Sequence, residues 1–111
     1  MKNIKFTMQD LIESILKLAE MNQENRKRED VFRTNGCAAA ASGRAYALAL
    51  LGFEYDLDSW MDGEFEMIEH FYVDGVTLIK NGEIDWEAYS DAVVDEEHGW
   101  ARKELTVQER I

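Results

Sequence analysis

A chain of 111 residues with 46% hydrophobic content and a net charge of −11 can build one core. It is too apolar for a disordered segment and too acidic to bind phosphate backbones over its whole surface. A single cysteine excludes an intrachain disulfide, and together with two histidines it supplies too few ligands for a four-coordinate zinc centre.

The N-terminal segment predicts a helix opening at Thr7. Asp10 sits at N3 in a variant of the capping box, and Phe6 and Leu11 occupy the two positions of a hydrophobic staple. Met8, Leu11, Ile12, Ile15, Leu18 and Ala19 then recur at three- and four-residue steps and form one apolar stripe. Asn22 to Asp30 is polar and carries both charge signs, which fits either a solvated continuation of the helix or a break. A second helix is predicted from Val31 or Cys37 to Leu51, with Gly52 at the left-handed C′ position and Phe53 packing back on Leu48. Asn35-Gly36 is either the turn of an αα-hairpin or a pair of poor helix formers inside one long helix. Cys37, Ala41 and Ala45, with Gly43 and Ala47, put small side chains at four-residue spacing. That face serves tight packing between the two helices or a seam between copies of the chain.

From Glu54 the pattern changes. Glu54 to Gly63 is acidic with interspersed aromatics, and Asp58 is a candidate helix cap. Residues 65–73 fit helical steps through Met61, Phe65, Ile68 and Tyr72, and equally an alternation interrupted at Glu69. Asp74-Gly75 and Asn81-Gly82 are type I′ turn dipeptides on either side of the strand-like run Val76–Ile79. Asp85 is positioned to cap a further helix starting at Trp86, and residues 101–111 read as a short helix or a tail. The expected fold is therefore α+β and mostly helical: an N-terminal αα unit, a small antiparallel β element and a C-terminal helix, with an all-α arrangement as the alternative. One domain over residues 1–111 is expected. Asp10, Glu13 and Glu20 interrupt the apolar pattern where a secretory signal would have its core, and no apolar run reaches the roughly 18 residues of a membrane span. A cytoplasmic location follows by elimination.

No catalytic constellation emerges. Ser14, Ser42, Ser59 and Ser90 lack a nucleophile-elbow setting, and the glycines are too scattered for a phosphate loop. Glu66 with His70, and Glu97 with His98, are at most adventitious metal contacts. Asp56, Asp58, Asp62, Gly63 and Glu64 fail as a calcium loop, because the fifth and sixth positions counted from Asp56 are Trp60 and Met61. With 23 acidic residues, any two carboxylates can be named an acid–base pair, so pairing carries no specificity. A non-enzymatic protein without cofactor or metal is expected.

The distribution of charge is more informative. Residues 1–53 carry 8 basic and 6 acidic side chains, residues 54–97 carry 1 and 15, and residues 98–111 carry 3 and 2. A contiguous 44-residue segment thus holds a balance of −14. Such a segment attracts basic protein surfaces and repels nucleic acid and anionic membranes. Its carboxylates can also imitate a phosphate backbone. The bland alternative is a solvated face.

In its short, acidic, motif-free character the chain is similar in type to small accessory or phage-type inhibitor proteins, though no residue roles carry over from that likeness. The expectation is an anti-defence, anti-CRISPR-like inhibitor that blocks a basic groove of a nuclease or other nucleic-acid-binding protein, without direct contact to nucleic acid or membrane. The candidate partner-facing residues are Glu54, Asp56, Asp58, Asp62, Glu64, Glu66, Glu69, Asp85, Glu87 and Asp91. The competing expectation is an oligomeric scaffold or a nucleotide-sequestering protein. It would form a homo-oligomer through the Cys37 to Ala47 face, with Arg26, Arg28, Arg33 and Arg44 around an anion.

Overall fold

A computed structural model describes residues 2–95 and 104–109, with side chains from Met8 to Asp95. Strand β1 (Lys2–Thr7) leads directly into helix α1 (Met8–Lys27), which a tight turn joins to α2 (Val31–Leu50). Strands β2 (Tyr55–Asp62), β3 (Phe65–Val73), β4 (Val76–Lys80) and β5 (Glu83–Ile84) follow, then helix α3 (Trp86–Val94) and strand β6 (Glu104–Glu109). The four central strands form an antiparallel meander in sequence order, and β1 pairs antiparallel with β6. The α+β expectation holds, with the helix pair first, then strands, then α3.

Local chemistry explains the element ends. Asp30 caps α2 by accepting from the Arg33 backbone N–H at 3.0 Å. At the other end Gly52 takes φ +87°, and the Phe53 N–H reaches the Leu48 carbonyl at 2.9 Å. This is the Schellman closure that Gly52-Phe53 predicts. Asp85 caps α3 through the Ala88 N–H at 2.9 Å. Both residues of Asp74-Gly75 and of Asn81-Gly82 have positive φ, as type I′ hairpin turns require.

Four readings need correction or completion. Asp58 caps no helix: it lies inside β2, opposite His70. Residues 65–73 are a strand, and the interruption at Glu69 is a β-bulge, since Asp58 pairs with His70 and Ser59 with Ile68. Asn22 to Lys27 continues α1, but the segment is not simply solvated, because Asn22 and Asn25 are buried. Within the 101–111 segment, residues 104–109 form a strand against β1 rather than a helix or tail. The rest of that segment and the Glu97-His98 pair lie outside the described residues, as do the Phe6 and Thr7 side chains.

The helical hairpin packs on the sheet through α2 against β3 and β2 and α1 against β3 and β5, while α3 covers β4. Met8, Ile12, Ile15 and Leu16 of α1 meet Leu48 of α2 and Phe71, Val73, Leu78 and Ile79 of the sheet in a fully buried core. Between the helices, Cys37, Ala38, Ala41 and Ala45 are buried. Of the small-residue row, Cys37, Ala41 and Ala45 are thus used inside the chain, whereas Gly43 is exposed, and Cys37 accepts a hydrogen bond from Asn25 Nδ2 at 3.6 Å.

Polar side chains from the hairpin close an edge of the sheet. Strand β4 pairs with β3 only from Phe71 onward, so the first half of β3 has an open side. Asn35 accepts from the Glu66 N–H at 2.7 Å and donates to the Glu64 carbonyl at 3.1 Å. Asn22 Nδ2 donates to the carbonyls of Glu66 and Thr34, both at 2.8 Å. These amides take the place of a neighbouring strand. The Asn35-Gly36 pair therefore lies inside one continuous helix, and Asn35 is there for its side chain.

Candidate functional site

The alternation of β2 and β3 sorts the acidic segment by face. Tyr55, Leu57, Phe71 and Val73 turn toward the core, whereas Asp56 and Asp58 lie opposite Tyr72 and His70 on the outer face. His70 Nε2 is 3.8 Å from Asp56 Oδ2. After the bulge, Trp60 pairs with Met67 and Asp62 with Phe65, next to the last turns of α1. Arg26 hydrogen-bonds Asp62, and Gln23 donates to the Gly82 carbonyl. These two contacts hold α1 against the end of β2 and against the β4–β5 turn.

A cleft of about 680 Å³ opens between them. Glu20, Gln23, Arg26 and Lys27 of α1 line one part of it; Trp60, Met67, Ile68 and Glu69 of the sheet line another. Asn81 to Ile84 and Trp86 complete the wall, and a smaller depression of about 430 Å³ continues over Lys80 and Asp85. Trp60 is 44% exposed. Trp86 is half-buried and held edge-on to Tyr89, with ring centroids 5.8 Å apart at 89°. That contact fixes the Trp86 ring before any ligand arrives.

The charges around this cleft are not balanced. Arg26 is committed to Asp62, and Lys27 lies 3.5 Å from Glu24. Glu20, Glu69 and Glu83 are exposed and make no ion pair among the described residues. Indole faces beside unpaired carboxylates are chemically suited to a cationic side chain, since a guanidinium can stack on Trp while its N–H groups meet carboxylate oxygens.

The expected partner-facing acids fall into three groups. Glu54, Asp56, Asp58, Glu64 and Glu69 are exposed along β2, β3 and their turns, and Glu87 and Asp91 are exposed on α3. Asp62, Glu66 and Asp85 do structural work. Asp62 binds Arg26, half-buried Glu66 accepts from the Ser59 hydroxyl at 3.0 Å, and Asp85 caps α3. Glu20 and Glu83, which the acidic-surface reading did not select, join Glu69 at the cleft. No local pattern marks them, because Glu20 lies more than 40 residues from the other two and Glu69 and Glu83 sit on different strands; the Glu69 interruption was the one visible sign of an irregular site.

The arginines do not assemble around an anion in the expected way. Arg26 lines the cleft but is engaged by Asp62, and Arg28 is exposed in the turn after α1. Arg33 lies 3.5 Å from Asp30, and Arg44 is exposed eleven residues further along α2, about 16 Å at 1.5 Å per residue. The four are strung along the hairpin.

Among the described residues no three His, Cys, Asp or Glu side chains cluster to hold a metal ion, and no helix is long and apolar enough to cross a membrane. Compared with known proteins, the sequence matches no family model, and neither a curated protein nor a solved structure matches it.

Proposed function

We propose that this chain is a non-enzymatic inhibitor that occupies a basic groove of a nucleic-acid-handling protein, its outer-face acids standing in for phosphates. The observation that carries the reading is the cleft, where Trp60 and Trp86 sit among the unpaired carboxylates of Glu20, Glu69 and Glu83. A lysine or arginine projecting from the partner's groove would enter it, while Asp56 and Asp58 engage neighbouring cations. Nucleic-acid grooves supply such rows of Lys and Arg because affinity for phosphate depends on them. Aromatic side chains in the contact suit an interface core, with the acids as its rim.

The test is capture from a host lysate at low and high salt, with mass-spectrometric identification, followed by assay of the captured protein. The expected partner is a nucleic-acid-processing protein that is held at low salt, released as salt rises and inhibited by the wild-type chain. Combining Asp56→Lys, Asp58→Lys and Glu69→Lys should abolish both binding and inhibition, and these exposed sites should leave the fold intact. Trp60→Ala should weaken binding at every salt concentration. A partner bound equally well by the triple variant would overturn the surface assignment, and capture without inhibition would overturn the inhibitor reading.

A further inference from the structure

Helix α2 has a second face, opposite the one that packs on α1. Phe32 is 88% exposed, Tyr46 59% and Leu50 73%, and Gly36, Ala39 and Gly43 are exposed between them. These six positions follow one another at steps of four, three, four, three and four residues, the seam of a coiled coil. None of them is charged or polar beyond the Tyr46 hydroxyl. A Cβ built on Gly36 or Gly43 would meet nothing within 4 Å, so nothing inside the chain calls for glycine at either position. Each helical glycine nevertheless costs conformational entropy that alanine would not.

We infer that this face pairs with the same face of a second copy, with the two α2 helices antiparallel. The seam is symmetric about the level of residue 41. Antiparallel alignment sets Phe32 against Leu50, Gly36 against Tyr46 and Ala39 against Gly43, each pair occurring twice. A large side chain meets a glycine in the middle layers, and the Tyr46 ring enters the open space over the partner's Gly36. A parallel arrangement would instead stack Tyr46 on Tyr46 and glycine on glycine, leaving a gap at each glycine layer.

Charge selects the same orientation. The last turn of α1, the turn that follows and the first turn of α2 hold Arg26, Lys27, Arg28 and Arg33 against Glu29 and Asp30, whereas the segment after α2 holds Glu54, Asp56 and Asp58 and no cation up to Asp62. Antiparallel packing lays each basic end beside the partner's acidic end and opposes the helix dipoles. Helix α2 itself carries Arg33 and Arg44 and no acid. It is a face on which two copies of a chain with net charge −11 can meet without bringing carboxylates together. A 20-residue helix is about 30 Å long, and a two-helix seam of that length lies at the small end of specific interfaces. The dimer is accordingly a reversible one that dissociates on dilution.

Sedimentation velocity on the full chain alone, over a hundredfold range of concentration, tests this without reference to any inhibited partner. A mass rising from one copy to two is expected. Phe32→Glu with Leu50→Glu should hold the chain at one copy while its circular dichroism stays unchanged. Orientation is read by cross-linking in a Cys37→Ala background. Mixed Phe32→Cys and Leu50→Cys chains should form a disulfide-linked pair, whereas Phe32→Cys alone should not, since its two copies lie 18 residues apart along the seam. A single copy at every concentration overturns the proposal, and efficient Phe32→Cys self-linking overturns the antiparallel arrangement.

Discussion

Helices α1 and α2 have the same length, 20 residues each, and lie side by side, yet they place most of their bulky apolar side chains differently. Helix α1 turns its large residues inward: Leu11, Ile12, Ile15 and Leu16 are buried, and its exposed positions are mostly charged. Helix α2 turns mainly small residues inward, Cys37 and alanines with Leu48 as the one large side chain, and Phe32, Tyr46 and Leu50 outward. The difference follows from geometry. Two helices approach closely only if one offers small side chains, and here α2 does so while α1 supplies the volume. Outward-facing bulk on α2 is then unexplained by folding and is better understood as contact surface.

The sharpest way to break this comparison is to remove a leucine from each helix. Leu16→Ala should cost about 2–5 kcal/mol, the transfer and cavity terms of a fully buried leucine that its neighbours cannot replace. Leu50→Ala should change monomer stability by no more than about 0.5 kcal/mol, as for other exposed sites. Urea unfolding at low protein concentration measures both. Equal losses would mean that α2's outer face is covered within the chain.

The next effect concerns the polar ends of the same helices. Asn22 on α1 is 1% exposed and serves two carbonyls; Asn35 on α2 is half-buried and serves the more open Glu64–Glu66 backbone. Asn22→Ala takes the amide donor from the part-buried Glu66 carbonyl, while the Thr34 carbonyl keeps its place in the α2 ladder, and should cost about 1–3 kcal/mol. Asn35→Ala should cost less, because water can reach the groups it leaves. Unfolding midpoints of the two variants decide the order, and a milder Asn22→Ala would remove the edge-closing role.

These asparagines also mark the limit of what the sequence discloses. The Gly52-Phe53 closure, the Asp85 cap and both type I′ turns were readable because each is decided within about five residues. The interruption at Glu69 was visible as a break in alternation, and only pairing with β2 identifies it as a bulge. Asn22 and Asn25 looked solvated because a buried amide and an exposed one are the same letter; what distinguishes Asn22 is a carbonyl 44 residues away. Strand β2 was hidden for a related reason. Its Asp56 and Asp58 face solvent while Tyr55 and Leu57 pack on the core, and that short alternation is lost among the surrounding acids. The cleft was less legible still, since Glu20, Trp60, Glu69 and Glu83 meet only in the folded chain.

A smaller effect distinguishes the two helices that flank Tyr89. Its ring, on α3, is buried against the core, and its hydroxyl donates to Glu13 Oε2 of α1 at 3.3 Å. Burial raises the Tyr89 pKa above the ordinary 10.0; a hydrogen bond from Gln9 opposes this, and the Glu13 charge adds to it. The phenol is thus held neutral in the folded state. The stability it contributes is complete below pH 10 and is lost as pH climbs through the raised folded value. The stability difference between wild type and Tyr89→Phe should therefore move against the wild type above pH 10, as urea unfolding between pH 9 and 11 would show. A constant difference would mean that Tyr89 ionises as freely folded as unfolded.

The smallest effect compares the two helix ends, which use one geometry with different residues. Helix α2 closes with Gly52 at φ +87°. Helix α1 closes the same way, with the Glu29 N–H on the Arg26 carbonyl at 2.9 Å and the Asp30 N–H on the Asn25 carbonyl at 3.0 Å. Its left-handed residue is Glu29, at φ +57°, where a side chain is strained and glycine is not. Glu29→Gly should therefore stabilise the fold by about 0.5–1 kcal/mol, the relief of strain outweighing the freedom that glycine adds to the unfolded chain. Gly52→Ala should do the reverse by a similar amount, although a Cβ there meets no neighbour, because the penalty lies in the backbone. Opposite signs would show that both helices end by the same device. Destabilisation by Glu29→Gly would instead assign the glutamate carboxylate a role in the turn that outweighs its backbone strain.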